Sequence, residues 1–483
     1  MTAPSDAVAG RGSDGRLSAR AVAVAFEERE YTVGELEQLA SGLADELARG
    51  GVRPGDRVAL MSANRPEFVV ALLAIWRLGA AVVLLSPAWK RAEVEHALAI
   101  TNPAHAVGDS PVLGDLLPMR HLDDPIPEPS VPAADYTPAP DSDALLVFSS
   151  GTTGLPKAVR HTHASFDAAV RNWIRVLELT RDDRLQILTP PAHILGLLNI
   201  VTALRVGAWM RLHRRFTIDT MLRCIESDRI TVEMAVAPIA LALAQHPELE
   251  SYDLSSLRFI MWGATPVTVS VAETVTARTG VAWLPAFGAS ELPVIACNPI
   301  RGARLDSVGK PAPGVELRVL SLETGNPVAA GEIGEIQARS DSLMAGYLPG
   351  EETAFVDGWY RTGDVGSVDA DGWVRLTDRS KEMIKVRGFQ VAPAEIEAVL
   401  HGHPAVADCA VFGVDAQDGE AIVAAVSRSA PVTAEELVAL VSERLAHYKR
   451  PRAVMFVSEI PRLPSGKVLR RILKEQYGRS SDE

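Results

Sequence analysis

Lysine is scarce in this chain. Of 48 basic residues only eight are lysines, at positions 90, 157, 310, 381, 385, 449, 467 and 474, and the rest are arginine. Cysteine is scarcer still. Cys224, Cys297 and Cys409 lie far apart, and neither a zinc spacing nor a disulfide framework can be read from them, which points to a reducing compartment. A basic surplus is missing too: 61 acidic residues give a net charge of −13 and a pI near 5.4. That excludes the positive field by which a nucleic-acid binder is recognised. Nor is there an unbroken apolar run. The most apolar stretch, FVVALLAIWRLGAAVVLLSPAW (68–89), carries Arg77 and Gly79 in its middle and fits a helix followed by a buried strand better than a membrane span. The first 17 residues are small and polar, without the apolar region of a secretory signal. These absences describe a soluble cytoplasmic protein with neither nucleic acid nor membrane span.

What is present is a large core. The 483 residues are 47% hydrophobic, enough for two to four domains. Strand-like RVALMS (57–62) precedes helix-like NRPEFVVALLAIWRLG (64–79), with Asn64 expected as N-cap and Pro66 near the first turn, and strand-like AAVVLL (80–85) follows. Such alternation predicts α/β layers around mostly parallel sheets. Six prolines within 123–142 mark a surface connection. A second boundary falls at DRSKE (378–382). Beyond it lie helix-like APAEIEAVLHGHP, strand-like VADCAVFGV and helix-like TAEELVALVSERLAHY. The predicted units are 1–380, a large domain of layered α/β sheets plus a β subdomain, and 381–483, a small mobile α+β domain. The small unit ends in basic KVLRRILK (467–474), which on its own reads as a solvated helix face.

The densest chemical signal is SSGTTGLPKAV (149–159), directly after strand-like ALLVF. A glycine-rich turn after a strand lets backbone N–H groups approach phosphate oxygens. Hydroxyls add donors, and a lysine adds a compact charge that a guanidinium does not replace. The spacing is not that of a Walker A loop, because the glycines are three apart and Ala158 follows Lys157.

This string resembles the phosphate loop of the adenylate-forming superfamily, which includes acyl-CoA synthetases, nonribosomal adenylation domains and luciferases. Four further segments match in family order: GEIGEIQARSDSLMAGY (331–347), YRTGD (360–364), DRSKEMIKVRGFQVAPAEIE (378–397) and PRLPSGKVLRR (461–471). The third looks closest to the 4-coumarate–CoA ligase branch. The resemblance implies two steps. A carboxylate attacks the α-phosphate of Mg-ATP to give an acyl-adenylate, and the thiol of coenzyme A then displaces AMP. Positioning and charge neutralisation would carry the first step.

The same resemblance implies site residues. Ser149, Ser150, Gly151, Thr152, Thr153, Gly154 and Lys157 would hold ATP phosphates, and Lys467 would reach the α-phosphate and the substrate carboxylate. Asp364 and Arg379 would hold the ribose, with Ala286, Phe287 and Ser290 around the nucleotide. Glu291 would accompany Mg2+, a cation that wants oxygen ligands and keeps several waters. Lys381 would be the hinge. Lys385 and Gln390 would serve the acyl-adenylate or thioester step, and Arg215, Arg387 and Gly388 would face coenzyme A. His193, in PPAHILGL, would edge the acyl pocket, which would be lined by Ala237, Gly263, Ala264, Gly288, Pro293 and Val294. These walls are small and uncharged, and no aspartate lies in 190–200 to meet an amino group. A bulky hydrophobic acid is therefore expected rather than an amino acid.

The chain departs from the family pattern GYGxTE, reading AFGASE at 286–291, and Ala158 stands where a glycine is usual. These changes cluster in the ATP region and keep alternatives open: thioester formation from a preformed acyl-adenylate, loading of a carrier-protein thiol, an oxidative light-emitting reaction, or a non-catalytic nucleotide sensor. A carrier protein as partner and a homodimer are also compatible with the resemblance.

Overall fold

The computed structural model describes residues 18–129, 136–149, 156–263, 268–350, 355–379, 382–386, 389–416, 419–462 and 468–477. Two sheets sandwich a helical layer. The nine-stranded sheet runs, in spatial order, Lys310–Pro311, Ala296–Cys297, Trp283–Phe287, Phe259–Trp262, Val232–Ala235, Arg184–Ile187, Trp209–Leu212, Val22–Phe26 and Arg29–Thr32. The seven-stranded sheet runs Gly346–Leu348, Lys157–Thr162, Asp143–Ser149, Ala81–Leu85, Arg57–Met61, His105–Gly108 and Met119–His121. Val33–Arg49, Pro66–Arg77, His163–Val176 and Ile194–Val206 are the helices between them, and their side chains build the main core with the facing sheet surfaces. Ile218–Asp228, Ala237–Gln245 and Val269–Thr279 cover the outer face of the nine-stranded sheet. Helices Arg91–Thr101 and Pro111–Leu116 cover the other outer face. Strands covered on both faces are apolar throughout, as in AVVLL of Ala81–Leu85, all of whose residues are buried.

The helix expected over 64–79 spans Pro66–Arg77, and the buried strand follows it. Its N-cap is Arg65, not Asn64, and no side chain caps it. Pro66 supplies the first helical residue with its φ already set. The Asn64 amide is used elsewhere, donating to the carbonyls of Ile187 at 3.3 Å and Thr189 at 3.1 Å.

Inside the nine-stranded sheet, Arg184–Ile187 is parallel to neighbours on both sides, Trp209–Leu212 and Val232–Ala235. The chain leaves it through an inner-layer helix to one neighbour and reaches the other through an outer-layer helix. The loops beyond its carboxyl end therefore diverge and open a crevice, the usual ligand position in open α/β sheets.

A third sheet, antiparallel, is built from Glu316–Leu320, Gly334–Arg339, Trp359–Val368 and Phe355–Val356, with Val374–Arg379 paired to Trp359–Val368. The fourth begins with Ile384–Val386. Its long hairpin Val406–Ala416 and Gly419–Arg428 carries helices Pro393–His401 and Ala434–Arg444 on one face and Arg470–Tyr477 on the other. Thr433 and Glu436 cap the second of these helices reciprocally. In the basic tail, Arg471 is exposed as a solvated face requires, but Arg470 is not. It donates to Val411 O at 2.8 Å and to Glu397 Oε1 at 2.7 Å, and it pairs with Glu382.

Candidate active site

The Ser/Thr/Gly run connects the antiparallel strands Asp143–Ser149 and Lys157–Thr162. Ser149 and Lys157 are directly paired, so the two ends of the expected phosphate loop meet at one point. Ser150, Gly151, Thr152, Thr153 and Gly154 lie outside the described residues. His96, from the outer helix, places Nε2 3.0 Å from the Pro156 carbonyl and fixes the exit of the loop. Ala158 is fully buried, paired with Phe148 on one side and Leu348 on the other, so its methyl is core.

Glu291 reaches this hairpin from the other sheet. It sits in the turn between Trp283–Phe287 and Ala296–Cys297, 7% exposed. Tyr347, on the strand beside Lys157–Thr162, donates its phenol to Glu291 Oε1 at 2.8 Å, and Met344 N donates to Glu291 O at 2.8 Å. The Lys157 ammonium lies 5.7 Å from the Tyr347 ring centre. Next to Glu291, the Ser290 carbonyl is 2.7 Å from His161 Nε2. Burial holds the His161 pKa below the usual imidazole range, although the Ser290 carbonyl and Glu291 oppose the shift. The neutral ring therefore donates one N–H to Ser290. His161 and Tyr347 together staple the two sheets at the phosphate loop.

The residues expected to edge the acyl pocket come from the loops after these strands. His193 precedes helix Ile194–Val206 beyond the carboxyl end of Arg184–Ile187, and Ala237 opens the helix after Val232–Ala235. Gly263 follows Phe259–Trp262, and Gly288 follows Trp283–Phe287. Ala264 lies outside the described residues. His193 is half-buried, and burial lowers its pKa, so the imidazole is neutral. Gly196 permits the approach of its helix to the preceding loop, because a Cβ there would collide with the carbonyls of Thr189 and Pro190. The helix is anchored by Trp173 Nε1, which donates to Asn199 Oδ1 at 2.7 Å. Gly288 is equally constrained, since a Cβ would collide with the Pro293 carbonyl. Pro293 and Val294 are buried, Ala286 is half-buried opposite Cys297, and the Phe287 ring packs in the main core at 8% exposure.

Asp364 is buried on Trp359–Val368, opposite Arg379 of the neighbouring strand. Gly363, at φ +72°, turns the strand in a conformation that favours glycine. Thr362 Oγ1 accepts from Asp364 N at 3.0 Å and donates to Ile336 O at 2.7 Å, which fixes the Asp364 backbone. Arg215 is exposed beyond Trp209–Leu212, with Arg214 over Phe26 and Phe216 41% exposed beside it.

Lys381, Arg387, Gly388 and Lys467 lie outside the described residues, and for Arg379, Lys385 and Gln390 only the backbone is described. Lys385 and Gln390 pair across the strands Ile384–Val386 and Phe389–Val391. The flanks of the segment carrying Lys467 meet in a bridge between Arg462 and Val468, and Leu469 N donates to Pro461 O at 2.8 Å. Arg462 grips Asp408 with Nε at 3.0 Å and Nη2 at 2.8 Å.

Sequence reasoning assigned no role to Tyr347, His161 or His96. Tyr347 closes a segment quoted for its resemblance, which was the one available signal. The others touch their partners only through the tertiary fold.

The fold and these loops define a nucleotide-binding enzyme scaffold with a separate C-terminal unit. The AMP-binding enzyme pattern matches residues 14–348, and the AMP-binding enzyme C-terminal domain matches residues 395–467. The chain belongs to the AMP-binding enzyme family. It is 35% identical to a feruloyl-CoA synthase of Amycolatopsis sp, over 96% of this chain and 97% of that protein. It is 34% identical to 4-coumarate–CoA ligase 1 of Solanum tuberosum, over 92% and 89%. The crystal structure of the anthranilate CoA ligase AuaEII in complex with anthranoyl-AMP superimposes with a TM-score of 0.91 at 27% identity, covering 98% and 97% of the two chains.

Proposed function

We propose that this chain, an AMP-forming acid–CoA ligase using ATP and coenzyme A, takes a bulky apolar acid of the aryl class. One observation carries the reading. Ala237, Gly263 and Gly288 lie beyond the carboxyl ends of adjacent parallel strands, next to a neutral His193, and bring no charge to that edge of the sheet. The acids named for the relatives above are all aromatic, which supports the same class.

In this reading Ser149 and Lys157 bind the terminal phosphates, and Asp364 accepts hydrogen bonds from the ribose hydroxyls. Lys467 offsets charge as the substrate carboxylate meets the α-phosphate. Glu291 fits magnesium: it is a buried hard-oxygen donor with Oε1 held by Tyr347. Among the described residues no group of three His, Cys, Asp or Glu could cage a metal. One carboxylate plus nucleotide phosphates is the arrangement this cation tolerates. Magnesium, when bound, supplies further neutralisation of phosphate charge. His193 shapes the acyl end. Rotation about Lys381 then brings Lys385, Gln390, Arg387 and Gly388 to the thioester step, with Arg215 toward the nucleotide end of coenzyme A.

The test is mass spectrometry of one mixture of protein, Mg-ATP, coenzyme A and a pool of aryl, fatty and polycyclic acids. An aryl-CoA product is expected, and exclusive turnover of fatty acids would overturn the substrate class. Lys467→Ala should abolish adenylation yet spare thioester formation from a supplied acyl-adenylate. Replacing coenzyme A by a holo carrier protein tests the acceptor, and sedimentation tests the homodimer. No helix among the described residues is long and apolar enough to cross a membrane.

A further inference from the structure

We propose that Asn298 and Ser307 are positioning residues of the nucleotide site, which set the spacing between the strand that ends at Ala286 and Phe287 and the strand that carries Asp364. The inference rests on reading Ala286 and Phe287 as residues around the nucleotide and Asp364 as the acceptor for its ribose hydroxyls.

The two strands belong to different sheets. Ala286 and Phe287 end Trp283–Phe287 of the nine-stranded sheet, and Asp364 lies on Trp359–Val368 of the third. A nucleotide held by both spans the seam between these sheets. The loop after Ala296–Cys297 builds that seam. Asn298 N and Nδ2 both donate to the Pro285 carbonyl, at 3.0 and 3.1 Å, directly before Ala286. Nδ2 also donates to Ser307 O at 2.7 Å, and Oδ1 accepts from Arg304 N at 2.7 Å. Ser307 carries the link across. Its Oγ donates to Val374 O at 2.6 Å, on the strand paired with Trp359–Val368, and accepts from Gly309 N at 3.0 Å. Val308 N donates to the same Val374 carbonyl at 3.0 Å, and Val374 N donates to Gly309 O at 2.8 Å.

The chemistry explains why an asparagine suits this place. A side-chain amide offers two donors and an acceptor. Two carbonyls and one N–H face it here, so each contact is matched and the orientation of the amide is fixed. Asn298 is 1% exposed and Ser307 3%, so removing a partner leaves a buried polar group unsatisfied. The loop also has little slack. Gly309, at φ +94°, runs so close to the neighbouring strand that a Cβ would collide with the Cys297 carbonyl. The Trp373 ring, next to Val374, has the Arg304 guanidinium 4.1 Å and the Lys310 ammonium 5.3 Å from its centre. A change in these hydrogen bonds therefore moves one nucleotide-bearing strand relative to the other.

The test measures binding of AMP and of 2′,3′-dideoxy-AMP by calorimetry, in the wild-type chain and in Ser307→Ala and Asn298→Asp. Ser307→Ala removes one hydroxyl. Asn298→Asp keeps the shape and turns an acceptor toward two carbonyls. The wild-type chain should favour AMP by about tenfold or more, the scale of hydrogen bonds to a charged acceptor. Both variants should bind AMP about fivefold more weakly, the scale of one neutral hydrogen bond. They should bind dideoxy-AMP with less loss, so that the preference shrinks. The KM for ATP should rise with the KM for the acid unmoved. Thermal unfolding reports stability separately, and if Asn298→Asp does not fold, Ser307→Ala decides alone.

Variants that are less stable but keep the wild-type preference for AMP would overturn the proposal, since these residues would then support only the fold. Asp364→Ala is the control on the underlying reading and should abolish the preference. If it does not, the ribose assignment fails first and the proposal falls with it. If Asp364→Ala abolishes the preference and neither seam variant alters it, the proposal alone fails.

Discussion

At the scale of single residues, the site is set by where a side chain can and cannot stand. Gly288 has no room for a methyl group because the Pro293 carbonyl occupies that space. Gly288→Ala should therefore push apart the turn bearing Glu291 and destabilise the protein by about 1–3 kcal/mol, the usual cost of overpacking. Denaturant unfolding checks the stability, and adenylation should fall more than thioester formation from supplied acyl-adenylate. The glycine was visible in the sequence, but its reason was not. AFGASE reads as a departure from a pattern, whereas the collision with residue 293 depends on how the turn folds back. Tyr347 shows the same limit. It is 56 residues from Glu291, and no local periodicity connects them.

At the scale of elements, three adjacent strands share a buried polar row. Gln186 Nε2 donates to Glu233 Oε2 at 2.6 Å, His213 Nε2 lies 2.6 Å from Gln186 Oε1, and Met234 N donates to Glu233 Oε1 at 3.0 Å. Burial pushes the Glu233 carboxyl up to about 8 from 4.5, and pushes His213 down to about 4 from 6.5. The signs oppose. A raised acid pKa means that the native state holds its proton more tightly, so stability falls as pH rises from 4.5 to 8. A depressed histidine pKa gives stability that is present above 6.5 and lost toward 4. His163, lowered by burial to about 4, behaves as His213 does. Between pH 6.5 and 8 only the Glu233 slope remains among these groups, at up to about 1.4 kcal/mol per pH unit. Glu233→Gln should flatten that limb. Unfolding midpoints measured at pH 6.5 and 8 decide it, and an unchanged slope would refute the assignment. A strand such as Ala81–Leu85 was legible as an apolar run. The polar row was not, because a glutamate inside ITVEMAV gives no sign of the neighbours that will surround it.

At the scale of the whole molecule, the small C-terminal unit is tied together by charge. Arg470 joins Glu382, just past the expected hinge, to Glu397 on helix Pro393–His401 and to Val411 O on the central hairpin. Arg462 pairs with Asp408, which also lies 3.2 Å from His401 Nε2. These pairs flank the segment that bears Lys467. If Lys467 acts as proposed, Arg470→Met should cut adenylation by about tenfold or more, since small misplacements of a catalytic group are costly. It should add little to the loss in Lys467→Ala, because the two act through one group. Half-reaction rates for the single and double variants test this, and additive losses would argue against it. The α/β class was readable from the order of segments. The basic tail was read as solvated because sequence shows a run of charge and not its partners, so Arg470 and Arg471 looked alike.

The Arg470 connections also set where this protein can be cut and rejoined. Glu382, Glu397, Asp408, Arg462 and Arg470 all lie on one side of residues 380–381. A hybrid spliced there inherits the complete set of supports, so a C-terminal unit from a relative arrives with its lysine segment already braced. A splice between 412 and 461 divides acids from bases and joins halves that evolved against other partners. Crossover position, more than overall identity, should therefore decide which hybrids retain the first half-reaction.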